Sequence, residues 1–201
     1  PIGISHDNFE LLYESYPGLK YKREIIEENI YNDNTHDKRW VSFCKHIETV
    51  TNQEIISTTS PLGSCYSGAL QLKKTTSEEL KRTKKLLFFV RLLGPFYTII
   101  GIDDNVVSVD KYFYQSVNYL VVSPVREYQP FFLEIEKDIE LRFPKYRFLP
   151  FAICKKIING LSLNQRENNC SVFDALFIQN FDLQTRFIGD EHYQINQWGL
   201  K

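Results

Sequence analysis

Apolar positions in this chain recur first with a helical period and later with the two-residue period of strands. Phe9, Leu12, Tyr13 and Tyr16 predict a helix over Asp7 to Tyr16, with Pro17-Gly18 as its stop. Ile25, Ile26 and Ile30 predict a second helix over Tyr21 to Tyr31. After a polar stretch over residues 32–37, Trp40, Phe43, Cys44, Ile47 and Val50 fall at i, i+3, i+4, i+7 and i+10, the clearest helical stripe in the chain.

The period then changes. Cys65 to Lys73, Leu86 to Leu93, Phe96 to Ile102, Val106 to Val109 and Val117 to Val125 read as strands, with Asp103-Asp104-Asn105 predicted as a turn between two of them. A helical stripe returns at Tyr128, Phe132, Ile135 and Ile139, with Glu134, Glu136, Lys137, Asp138 and Glu140 placed around it. Tyr146 to Leu149 reads as a strand and Phe151 to Ile158 as a helix closed by Gly160. Ser171 to Asp174 has capping-box form and opens a helix to about Phe181; the tail is expected to hold a strand or two and ends near Trp198. These elements predict an α+β fold in a single domain over residues 1–201, an antiparallel β-meander covered by N-terminal and central helices.

Composition narrows the function classes. With 201 residues, 43% hydrophobic and 14% aromatic, the chain can build one substantial core but is short for two. Its net charge of −1 argues against nucleic acid as the main partner, because such binders neutralise phosphates with a basic excess. No stretch reaches the roughly 18 apolar residues that span a bilayer. The longest apolar run, Leu86 to Leu93, is broken by Arg91. Pro1 to Asp7 lacks the basic head and apolar run of a signal peptide, so the expectation is a complete cytoplasmic product with Cys44, Cys65, Cys154 and Cys170 as reduced thiols.

Candidate chemistry is sparse. Cys44 and His46 are two apart on a helix and point about 200° from each other, so they cannot close on one ion. His6, His36 and His192 are isolated and no CxxC, HxxxH or HExxH occurs, so neither a metal nor a cofactor is expected. No Gly-rich phosphate cradle is present. Pro61 to Gly68 could present Ser64 or Cys65 as a nucleophile with His46 or His192 as base, although a turn feeding a strand explains the same residues. Glu27-Glu28, Glu78-Glu79, Asp103-Asp104 and Asp190-Glu191 are adjacent carboxylates, which does not place them across a cleft. An enzyme using a carboxylate or Cys65 in a cleft is therefore the alternative function. The run Lys73-Lys74, Lys81-Arg82 and Lys84-Lys85 around Glu78 and Glu79 reads as a solvated connection.

Two segments suggest an interface instead. Lys111 to Gln115 packs three aromatics between strands, and His192-Tyr193-Gln194 sits beside Asp190 and Glu191 and close to Trp198. The partner-binding candidates are Asp103, Asp104, Tyr112 and Tyr114, followed by Asp190, Glu191 and Tyr193. The run from Leu86 through Gly94-Pro95 to Asp104, followed by Glu127 to Pro150, resembles bacterial immunity proteins in general style. The resemblance covers about the middle third of the chain and transfers no residue by motif. It implies a cytoplasmic, non-catalytic α+β domain that neutralises a cognate protein toxin by forming a stoichiometric complex.

Overall fold

The computed structural model describes residues 17–26, 38–59, 64–77, 80–109, 112–115, 118–161, 170–177, 181–183 and 185–199. The expected helix over Asp7 to Tyr16 lies outside them. Helix α1 is Pro17–Ile26 and α2 is Lys38–Thr51. Pro17 and Gly18 start a helix rather than end one, because proline costs nothing in a first turn that has no partner for its missing N–H.

Strands β1 (Ile55–Ser57), β2 (Cys65–Thr76), β3 (Leu80–Arg91), β4 (Phe96–Val109), β5 (Tyr112–Gln115) and β6 (Tyr119–Val121) follow. A 3₁₀ turn at Arg126–Tyr128 leads into α3 (Gln129–Arg142), then β7 (Arg147–Phe148), α4 (Phe151–Cys154), α5 (Val172–Leu176), β8 (Arg186–Ile188) and a last 3₁₀ turn at Ile195–Trp198. The fold is α+β. One mostly antiparallel sheet runs β1-β2-β3-β4-β6-β8, and β5 and β7 also pair with β4. One edge of β4 follows β3 along nearly its whole length. Its other edge is divided among β7 at Phe96 and Tyr97, β6 at Gly101 to Asp103, and β5 at Val106 to Val109.

Most stripe positions seat toward the core, but Val50, in the last turn of α2, is 49% exposed and Cys44 is half-buried. Trp40, Phe43 and Ile47 of α2 and Phe132, Ile135 and Ile139 of α3 pack on Tyr66, Leu70, Leu86, Phe88, Val90, Tyr97 and Ile99. The opposite sheet face is covered as well. Cys65, Ala69, Leu87, Phe89, Ile100 and Leu120 meet Phe151, Cys154, Phe173 and Phe177 from the C-terminal segments. Burial on both faces explains why Leu86 to Val90 is continuously apolar instead of alternating.

Several boundaries differ from the periodicity. The expected turn at Asp103-Asp104-Asn105 lies inside β4, where Asp103 faces Lys84 and Asn105 faces Arg82 across the strands. Cross-strand charge pairing outweighs the local turn preference. The basic run is likewise not a connection: Lys73 and Lys74 are in β2, while Lys81, Arg82, Lys84 and Lys85 are in β3. Helix α4 stops at Cys154 because the following backbone pairs elsewhere: Ile158 N donates to Cys170 O and Val172 N to Lys156 O. The capping box at Ser171 and Asp174 forms, but α5 ends at Leu176.

Candidate functional site

The interface candidates fall on separate elements, and several are engaged within the fold. Asp103 is 7% exposed. Its carboxylate accepts two hydrogen bonds from Arg82, at 2.9 Å from Nε and 2.6 Å from Nη2, and Lys84 Nζ lies 3.6 Å away. Lys84 also pairs with Glu127 and sits over the Tyr128 ring. Burial pushes the Asp103 carboxyl up, but hydrogen bonding from Arg82 and the Lys84 charge outweigh it and hold it below its ordinary range. Asp104, facing Thr83, is half-buried. Tyr112 and Tyr114 stand on β5 in register with Val109 and Val107.

In the second group, Asp190 is exposed; its amide donates to Ser123 Oγ and its carboxylate accepts from the His192 amide. Glu191 pairs with Lys155, and His192 Nε2 lies 3.5 Å from its carboxylate. Tyr193 packs edge-on to Phe132 and Phe148, and its hydroxyl donates to Glu136 Oε2 at 2.7 Å. This turn is therefore fastened to α3 and α4.

Glu136, the carboxylate that Tyr193 meets, belongs to the charged set around the helical stripe and is buried, as is Asp138. Position 136 follows Phe132 by four and adjoins Ile135, so it lies within the breadth of the apolar stripe; that spacing is the signal for its burial. Gln194 Nε2 donates to Glu136 Oε1 at 3.2 Å, and Tyr97 donates to the neighbouring Glu140 at 2.9 Å. Burial raises the Glu136 carboxyl, and the hydrogen bonds from Tyr193 and Gln194 only partly offset this. Both carboxylate oxygens accept from side chains of this chain, so the group is built as a tie between α3 and the C-terminal turn. A carboxyl raised in the folded state makes the native protein bind more protons than the unfolded chain. Its stability is greatest below the ordinary carboxylate range and falls as pH rises through the native value. Glu136→Gln is expected to remove that slope and to be more stable than the parent at pH 7, measured by urea unfolding across a pH series.

The nucleophile candidate Cys65 is buried, and burial pushes its thiol up to about 12. Its Sγ contacts the Phe177 carbonyl on the C-terminal face. His46 lies on α2, across the sheet, 3.8 Å from Glu134 and 3.9 Å from Asp138. Arg91, beside Cys65, donates to Ser64 and to the Leu176 carbonyl. A protonated, enclosed thiol is not an activated nucleophile. Among the described residues, no three His, Cys, Asp or Glu side chains are grouped to hold a metal ion.

The far end of the sheet is open. Residues 73–77 of the β2 side and Lys81 of β3 are exposed, past the stretch where both faces are covered. Gln71 pairs with Lys85 and Lys73 with Lys84, so Leu72 is an extra residue, a β-bulge whose side chain tucks against the helical core. The Gln71 amide donates to the carbonyls of Lys73 and Lys84, at 3.2 and 3.3 Å, and steadies the bulge. Thr75, Thr76 and Thr83, β-branched residues next to the lysines, were the sequence signal that these cations belong to strands.

Compared with known proteins, the chain matches no family model, no curated protein and no solved structure.

Proposed function

We propose that this chain is a non-catalytic protein-binding module that acts as an immunity-type inhibitor, neutralising a cognate toxin in the cytoplasm through a stoichiometric complex. The observation that carries the binding reading is the sheet end itself. Strands β2 and β3 continue past both covering layers and present exposed side chains there. An uncovered sheet end is an aggregation liability unless it is blunted or used. The immunity-type form of the reading draws on the resemblance of the Leu86 to Asp104 and Glu127 to Pro150 stretches, which supply the sheet centre and α3. All four cysteines are free, in keeping with a reducing compartment. Among the described residues no helix is long and apolar enough to cross a membrane.

The test is co-expression with the toxin candidate encoded beside its gene. The expected result is restored growth and a one-to-one complex on size-exclusion chromatography, burying at least about 1,000 Å² in total. Absence of both rescue and complex overturns the inhibitor reading.

A further inference from the structure

We infer that the open edge of β2 from Leu72 to Thr76 accepts an extended, acidic segment of a partner protein as an added strand. This rests on the protein-binding reading above and names the chemistry of the partner. Three observations lead to it.

The edge is vacated by construction. Asn52, at the end of α2, takes a left-handed conformation with φ of 51°, which turns the chain toward β1. β1 then pairs only with Gly68, Ala69 and Leu70, and among the described residues the last backbone hydrogen bond on that side is Gln71 N donating to Glu54 O. No described strand pairs with β2 beyond it.

The edge is charged on both faces. Neighbours along a strand point to opposite faces, so Lys73 shares a face with Lys84, while Lys74 shares the other with Lys81 and Lys85. Arg82 and Lys84 are neutralised by Asp103 and Glu127. Among the described residues Lys73, Lys74, Lys81 and Lys85 have no ion-pair partner, and Lys73, Lys74 and Lys81 are exposed.

That distribution selects the occupant. A strand laid along the edge sends successive side chains to alternate faces, so consecutive carboxylates meet Lys73 on one side and Lys74 on the other. A nucleic-acid backbone would lie against one face and leave the other cations unused. A second copy of this chain would bring lysine against lysine, which is unfavourable for directly opposed strands. The backbone groups of the edge supply affinity through ladder hydrogen bonds, and the lysines supply selectivity for acid.

The probe is a short capped, fluorescein-labelled peptide repeating Glu-Glu-Val-Thr, titrated against the full chain by anisotropy, with amide exchange read over residues 72–76. The expected result is salt-sensitive binding with slowed exchange at the alternate amides of this stretch that point away from β3. Replacing Glu by Lys in the peptide, N-methylating alternate peptide amides, or making Lys73→Glu with Lys74→Glu is each expected to weaken it about tenfold or more. Equal binding of the N-methylated peptide overturns strand addition. Tighter binding of a single-stranded oligonucleotide, or self-association protecting the same amides, overturns the acidic-segment assignment. The two readings fail separately. Toxin rescue without peptide binding removes only the edge assignment. Peptide binding without rescue removes only the immunity reading.

Discussion

Phe88→Ala is expected to lower the unfolding free energy by about 3–5 kcal/mol, the range for removing a fully buried aromatic. Phe88 has no solvent exposure and its ring meets Trp40 at 5.8 Å and Phe43 at 5.4 Å between centroids. Across the β2–β3 ladder it faces Gly68, where a Cβ would come within 2.6 Å of the ring. The ring thus occupies the volume that a side chain at position 68 would otherwise fill. Truncation empties both positions at once, and the stacked Trp40 and Tyr66 rings, 5.0 Å apart, are held from the other side by α2. The check is a shift of the urea midpoint with an unchanged m-value. A loss below about 1 kcal/mol would mean that the α2 layer does not seat on this sheet as described.

Asp103→Ala is expected to cost roughly 2–3 kcal/mol. That is below the ~3–5 kcal/mol of a fully buried pair, because Arg82 is 42% exposed and partly screened by solvent. The loss comes from leaving Lys84, 12% exposed, between β3 and the Tyr128 ring with only Glu127 to oppose its charge. The sign of the pH dependence follows from a carboxyl held below its ordinary value. The unfolded chain takes up the proton first as pH falls, so the stabilisation is fully present above the unfolded value of about 3.9 and is lost below it. The deficit of the variant should therefore shrink toward pH 3. A deficit equal at pH 3 and pH 7 would show that packing, not charge, is what Asp103 contributes.

The residues of α2 and α3 show where sequence suffices. Each stripe recurs every three to four positions, and a surface helix can satisfy that period in only one orientation toward a core. Trp40, Phe43, Ile47, Phe132, Ile135 and Ile139 are buried as their spacing requires, whereas Val50, at the last stripe position of α2, is exposed. Position 136 shows the limit: its polarity suggested solvent, its spacing suggested burial, and the decision lay with Tyr193 and Gln194 nearly sixty residues downstream. Asp103 is similar, since a carboxylate beside Asp104 and Asn105 looks like a turn until the cations of the next strand are known.

By itself the chain's pattern determined the α+β class, the apolar faces of the two packed helices and the Ser171 cap, because each depends on neighbours within a few residues. Tertiary structure decided which charges are internal ties and which remain at the surface. The same lysine type is neutralised at position 84 and left open at 73, 74 and 81. That difference is set by what lies opposite across a strand ladder, and ladder partners come from chain separations that no local period encodes.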